Sequence, residues 1–302
     1  MKYTNNYGYP DRIARAHQWL QAQRVSSGTE RADISATELL KPPRAVTLKR
    51  RHADTLTEDV RDAFATMHGQ AWHMLMHAAL ADDPGVLMAE QRLFAECAGW
   101  TISGQPDLFW KDGTLEDYKQ TSVYTAKDLT QGKQDDWAAQ ANIYAWLLRR
   151  NGHEVKRIVF YPDCRDWRAS ESRDQHDYPR WGFAHELPVW PEAQQDDYVA
   201  ERVALHQLAR ATLPECTDAE RWAVLPKWAA MKAGNKRATK RFETRLEAEQ
   251  WVVAQKDAAQ FTLEPREGDP VKGCMYCSAR QVCTQYAKLA AEVAQERASV
   301  VE

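Results

Sequence analysis

"GQPDLFWKDGTLEDYKQTS", Gly104–Ser122, decides how this chain is read. Leu108-Phe109-Trp110 and Leu115–Thr121 have strand character. Lys111-Asp112-Gly113 between them is a turn, since Asp and Gly tolerate the backbone angles a hairpin needs. The charges are not placed as on a solvated surface. Strand side chains alternate faces, so Asp117 and Lys119 share one face while Glu116 points away. Asp107, where the first strand begins, can lie opposite them. Two carboxylates that close repel unless a cation sits between them. A hard divalent ion with oxygen ligands, Mg²⁺ or Mn²⁺, fits this set. Such an ion polarises a phosphoryl oxygen and acidifies a bound water. Lys119 would orient that water or stabilise the charge that develops on the phosphate.

Outward from the hairpin, the pattern alternates helices and strands. Asp11–Arg24 is expected to be an amphipathic helix, and Ser35 to cap a short helix Ala36–Leu40 stopped by Pro42-Pro43. Thr57 to Ala81 has apolar residues at helical spacing (Val60, Phe64, Met67, Ala71, Met74). Val86–Phe94 and Trp100–Trp110 read as strands around a turn at Ala98-Gly99. Asp135–Arg150 is a helix and Val155–Tyr161 a further strand, which a right-handed crossover makes parallel to Leu115–Thr121. The expected fold class is α/β, a small mixed sheet flanked by helices. Beyond it, Gly182–Val189 reads as an edge strand. Glu192–Ala211, Asp218–Lys232 and Thr244–Lys256 read as helices, with a last helix after the cysteines. The expected division is residues 1–54 as a helical and basic segment, 55–190 as the α/β core and 191–302 as a mainly helical extension.

Composition narrows the class. Twelve Trp in 302 residues argue for an ordered chain. No apolar run is long enough for a membrane span, and the N-terminus lacks the order of a signal peptide, so a cytoplasmic protein is expected. Net charge is −3, but the basic residues cluster in "LKRRH" (Leu48–His52) and "KAGNKRATKR" (Lys232–Arg241). Local clusters, not net charge, neutralise phosphates.

Two helices flank the acidic hairpin with polar groups. "HGQAWHMLMH" carries His73, with His68 and His77 as competitors, and imidazole can complete a metal shell. "AAQANIYAWLL" carries Gln140 and Tyr144, one turn apart on a shared face. Gly69-x-x-x-His73, Gly104-Gln-Pro-Asp107, Asp117-Tyr-Lys119 and Gln140-x-x-x-Tyr144 together resemble, in order, the motifs of RecB-like nucleases of the PD-(D/E)XK superfamily, over about residues 65–165. That resemblance implies a DNA substrate and a metal held by His73, Asp107, Asp117 and the Tyr118 carbonyl. It implies Lys119 as the catalytic lysine, supported by Gln140 and Tyr144. Glu90 resembles an extra acidic residue of some phage exonucleases. A phage or mobile-element setting follows by resemblance, in a bacterial host, with a recombination or replication protein as a further partner. Polarity, strand preference and oligomeric state stay open.

"GCMYCSARQVC" spaces Cys274, Cys277 and Cys283 as C-x₂-C-x₅-C. Three reduced cysteines this close make a soft-metal site, iron–sulfur or zinc. The asymmetric spacing suits a [4Fe–4S] cluster. It is similar to the C-terminal spacing of AddB-type and CRISPR-associated exonucleases. In those families the fourth ligand precedes the core, whereas here no cysteine precedes Cys97. Cys97, Cys164 and Cys216 are the candidates; "PECTDAERW" around Cys216 resembles segments of phage-encoded nucleases in which the cysteine recurs with the C-terminal trio, so the resemblance implies Cys216. A cluster would hold the second basic island beside the core. Lys232, Lys236, Arg237, Lys240 and Arg241 would then contact phosphates, with Arg44, Lys49, Arg50 and Arg51 as an opposite wall. Trp222 and Trp228 are candidates for stacking on bases.

Overall fold

The computed structural model describes residues 2–13, 15–16, 18–19, 32–80 and 82–301. Of the helix expected over Asp11–Arg24, residues 11–13, 15–16 and 18–19 are described and helical, and the rest of that expectation lies outside the described residues. The chain divides into two compact units, Met1–Pro43 with Ala53–Leu213, and Arg44–His52 with Pro214–Glu302.

In chain order the elements are β1 (Lys2–Thr4), β2 (Ile34–Ser35), α1 (Ala36–Leu39), α2 (Pro43–Arg51), β3 (Thr57–Asp59) and α3 (Phe64–Leu80). Then come β4 (Val86–Ala89), β5 (Leu93–Cys97), β6 (Trp100–Gly104), β7 (Leu108–Trp110), β8 (Thr114–Thr121), α4 (Val123–Thr130) and α5 (Asp135–Arg150). The first unit closes with β9 (Arg157–Cys164), α6 (Ala169–Asp174), β10 (His185–Leu187) and α7 (Glu192–Thr212). The second unit, besides α2, holds β11 (Lys227–Lys232), β12 (Lys240–Phe242), α8 (Arg245–Val253), β13 (Phe261–Arg266) and α9 (Thr284–Val301).

The first unit is the expected α/β fold. Its main sheet has the order β10-β9-β8-β7-β4. β8 and β9 are parallel, from Thr114 opposite Arg157 to Thr121 opposite Cys164, and every other pair is antiparallel. The crossover helix α5 buries Ile143, Trp146, Leu147 and Leu148 against Leu115, Ile158 and Phe160. Full burial of each such side chain contributes about 1.5–3 kcal/mol. The Trp146 indole N–H donates to Asp196 of α7 at 2.8 Å, so its polar atom is not orphaned. The hairpin β7–β8 turns at Gly113, whose φ of +91° is one a side chain would disfavour.

Four expectations change. Trp100–Trp110 is not one strand: Pro106 lacks the N–H a ladder requires, and the chain bends there. β6 instead joins a second sheet, β2-β6-β5, while β7 stays in the main one. Val86–Phe94 is likewise interrupted, at Glu90, which adopts the left-handed φ of 50°. Thr57–Ala81 opens as a strand paired with β1, then a 3₁₀ turn, and becomes α-helical only at Phe64. Pro42-Pro43 ends α1, but Pro43 also begins α2, since proline at the first helical position needs no partner for its nitrogen.

In the second unit the helix expected over Asp218–Lys232 is absent. Lys227–Lys232 is the central strand of a sheet with the order β12-β11-β13. Ala230, Phe242 and Ala248 form its small core, with Trp228, Trp251, Phe261 and Leu263 packed against them. The basic island Lys232–Arg241 is therefore the β11–β12 connection and not a helix face. Helix α8 carries a capping box at Thr244 and Glu247. Among the described residues no helix is long and apolar enough to cross a membrane.

Candidate active site

Strand register assembles the site. Leu108 pairs with Glu116 and Phe109 with Leu115, which puts Asp107 beside Asp117 at the open end of the hairpin. The Tyr118 backbone N–H donates to Asp107 Oδ2 at 2.7 Å and fixes that carboxylate. Its other oxygen, Oδ1, lies 3.1 Å from His73 Nδ1, and the same nitrogen is 3.3 Å from Glu90 Oε1. One ligand atom from each of His73, Glu90 and Asp107 lies within 4.8 Å of the others, a spacing compatible with one cation. The left-handed turn at Glu90 is what brings this residue in. Its second oxygen, Oε2, accepts from Gln105 Nε2 at 2.5 Å, and Gln105 is held in turn by Arg92.

Asp117 sits next to this trio but faces Lys119. The lysine Nζ lies 2.8 Å from Oδ2 and 3.1 Å from Oδ1. Asp117 and Glu90 were both expected among the ligands; among the described residues His73, Glu90 and Asp107 meet within 4.8 Å, and Asp117 adjoins them. Lys119 donates a hydrogen bond to Asp117 Oδ1, while Oδ2 is buried beside the ammonium without a hydrogen bond of its own and is open to an ion. Glu116 does point away as expected: on the opposite face it accepts from the Tyr118 hydroxyl at 2.7 Å. On α5, Gln140 donates to the Tyr144 hydroxyl at 2.9 Å.

The electrostatics follow from crowding. Burial and the Asp107 charge push Asp117 up to about 7, against the pull of Lys119. Lys119 is disfavoured as a cation by burial, yet the charges of Asp117 and Asp107 raise it above its ordinary value. His73 also loses solvation, but hydrogen bonds to Asp107 and Glu90 raise it to about 10. Burial pushes Tyr144 up to about 12. As cations, His73 and Lys119 offset the carboxylates around them.

Gly104 explains why the acidic motif begins with glycine. A Cβ there would meet Leu147 Cδ1 at 2.4 Å and two ring carbons of Tyr144 at 3.0 Å. The bare backbone lets α5 approach the strand and places Tyr144 beside Asp117 and Lys119.

In the second unit, Cys216, Cys274, Cys277 and Cys283 all line one cavity, with Arg44, Leu48 and Gln285. Gln285 holds Cys216 by two backbone bonds, accepting from its N–H at 2.8 Å and donating to its carbonyl at 2.9 Å. Cys97 and Cys164 lie in the first unit, at the ends of β5 and β9. Burial, then Glu220 and the neighbouring Cys283 and Cys277, push the Cys216 thiol up to about 12. Thiolates this close need a soft cation to coexist.

The proposed phosphate contacts divide. Arg44 is buried, its guanidinium donating to the Pro214 carbonyl and the Thr284 hydroxyl, which removes it from the expected DNA wall. Lys49, Arg50 and Arg51 end α2, where cations suit the helix terminus. Lys232 pairs with Asp257, and Lys240 lies over Phe242 and Trp251. Lys236, Arg237 and Arg241 are exposed. Trp228 lies beneath Arg245, while Trp222 is exposed beside Tyr276.

Among solved structures the chain is similar to SSO0001, at 14% identity over 64% of this chain and 85% of that one, with a TM-score of 0.45. It is also similar to an alkaline exonuclease, LHK-Exo, from Laribacter hongkongensis, at 13% identity over 59% of this chain and 90% of that one, TM-score 0.38. The same exonuclease in complex with dAMP gives 15% identity over 60% and 93%, TM-score 0.35. No curated protein matches. The family model of the PD-(D/E)XK nuclease superfamily matches residues 14–284. With most of its length so matched, and its mixed sheet and acidic hairpin as described, this chain belongs to the PD-(D/E)XK nuclease superfamily.

Proposed function

We propose that this nuclease is a Mg²⁺- or Mn²⁺-dependent DNA exonuclease of RecB-like type, whose cysteine cavity holds a [4Fe–4S] cluster. The observation that carries the catalytic reading is the convergence of His73, Glu90 and Asp107 beside the Asp117–Lys119 pair. The donor set, one imidazole and two carboxylates, fits a hard divalent ion. His73, Glu90 and Asp107 would hold it, with Asp117 adjoining. When bound, the ion would supply charge to a phosphoryl oxygen and an acidified water.

The chain's own groups supply the rest. Asp107 is preorganised by the Tyr118 N–H. Lys119, paired with the buried Asp117, would donate to the phosphoryl oxygen on which negative charge builds. Tyr144 and Gln140 close the pocket behind the lysine.

Four cysteines around one cavity suit a thiolate-bound group, with Cys216 as fourth ligand. Its role is structural, since binding there joins the loop at Cys216 to the Cys274–Cys283 segment. Recombination or repair of phage or mobile-element DNA is the setting this activity fits.

The test is degradation of end-labelled linear DNA against closed circular DNA, with Mn²⁺ or EDTA. Loss of the linear substrate alone, abolished in Asp107→Ala, is the expected result. Undiminished cleavage by Asp107→Ala refutes the site. Brown protein absorbing near 400 nm distinguishes iron–sulfur from colourless zinc.

A further inference from the structure

An aromatic pair stands at the end of the catalytic strands, outside every motif discussed so far. Trp167 and Trp181 stack with ring centroids 5.5 Å apart and planes 14° from parallel. Both are anchored to strand ends. The Cys164 N–H donates to the Trp181 carbonyl at 2.9 Å, and Asp163 bridges to Gly182. The Trp167 N–H donates to the Cys164 carbonyl, and its indole N–H to the Pro179 carbonyl at 3.0 Å. Yet Trp181 is 60% exposed. One face lies on Trp167, and much of its surface is left to solvent.

Register places this pair near the chemistry. Lys119 is opposite Pro162 and Thr121 opposite Cys164, to which Trp181 is bonded. That is two residues along the strands and about two strand spacings across, or roughly 12 Å between backbones. At ~3.4 Å per stacked nucleotide, a DNA strand covers that span in about four steps. The flanking charges are mixed: Arg165, Arg168 and Arg180 are exposed, and so are Asp166, Asp174 and Asp177. Arg168 also pairs with Glu171. Tyr124, 74% exposed, begins α4 just beyond the end of β8.

We propose that Trp181, backed by Trp167, is a stacking platform for an unpaired nucleobase of the DNA strand being cut, with the neighbouring arginines on its phosphates. The inference rests on the nuclease reading above. Position selects the occupant: the platform lies about four nucleotide steps from Lys119, within reach of a strand held at the site, and a base offers its flat face to the exposed ring.

The test measures binding of a labelled oligothymidylate in EDTA and, separately, cleavage with Mn²⁺. Stacking on an aromatic is worth enough that Trp181→Ala should weaken binding about 5- to 100-fold and raise KM. Trp181→Phe should recover much of the loss and Trp181→Leu little, because only the ring offers a π-face. Thermal melting of Trp181→Ala should match the parent, since the side chain is exposed. An abasic oligonucleotide should bind parent and Trp181→Ala alike. Equal oligonucleotide affinity of parent and Trp181→Ala overturns the platform even if DNA is cleaved. Trp181-dependent binding without Mn²⁺-dependent cleavage supports the platform and overturns the nuclease reading. Loss of self-association in Trp181→Ala with unchanged DNA affinity identifies an interface between copies instead, and also overturns it.

Discussion

Gly104→Ala tests how the helix and the acidic motif depend on each other. The added methyl would sit 2.4 Å from Leu147 Cδ1 and 3.0 Å from the Tyr144 ring. Carbon atoms pack at about 3.5–4.0 Å, so Leu147 must retreat by roughly 1 Å or more. Leu147 is fully buried and Tyr144 nearly so. A close-packed core resists such a shift at about 1–3 kcal/mol. At ~2–4 °C per kcal/mol for a unit of this size, the melting temperature should fall by about 2–12 °C. A double-mutant cycle isolates the cause. Leu147→Ala alone should cost about 2–5 kcal/mol through the cavity it leaves. In the Gly104→Ala, Leu147→Ala protein the new methyl enters that cavity and the clash is gone. The pair should therefore be at least ~1 kcal/mol more stable than the sum of the single effects. Denaturant unfolding of all four proteins measures this. Additivity within ~0.5 kcal/mol, or parental stability in Gly104→Ala, would falsify the close-approach argument.

Other expectations concern the two proposed metal sites. Lys119→Ala and Asp117→Ala should each lower cleavage by about 10²-fold or more, and full activity in both would remove that strand from the site. His73 carries a proton up to about pH 10 in the metal-free site, so a metal must displace it. Mn²⁺ affinity should rise with pH below that value, with proton release detectable by calorimetry in buffers of different ionisation enthalpy. The raised value also sets a sign for stability. The contribution of protonated His73 is full below its unfolded value of 6.5 and is lost as pH climbs towards about 10. Melting of the metal-free protein, compared with His73→Gln, should show that loss, and a flat difference between the two would contradict it. Gln285→Leu removes both bonds to Cys216 and leaves its part-buried backbone groups without partners, at about 1–3 kcal/mol. With the proposed cluster bound, absorbance near 400 nm should bleach faster with a chelator in that protein than in the parent.

The hairpin was legible because Lys111-Asp112-Gly113 marks its turn and the period of two places Asp117 with Lys119. Helix α5 was legible from its apolar spacing. Glu90 was harder: its position depends on a left-handed backbone at a non-glycine residue, which no local propensity announces. The exchange of sheets between β6 and β7 follows from Pro106, a signal present in the sequence but outweighed by the apolar run around it. Lys227–Lys232, "KWAAMK", contains good helix formers, and pairing with both β12 and β13 overrides them. The fourth cysteine could not be chosen from spacing at all. Only the loop geometry at Gln285 brings Cys216 to the cavity.

The discontinuity of the second unit has a consequence for how the polypeptide is made. Arg44–His52 leaves the ribosome roughly 160 residues before Pro214. During that interval Val46 and Leu48, buried in the finished molecule, lack the later part of their own unit. A nascent chain arrested before Thr284 would display an apolar helix surface of the sort that recruits chaperones or aggregates. For the same reason no single proteolytic nick can part the gene product into two autonomous folding pieces.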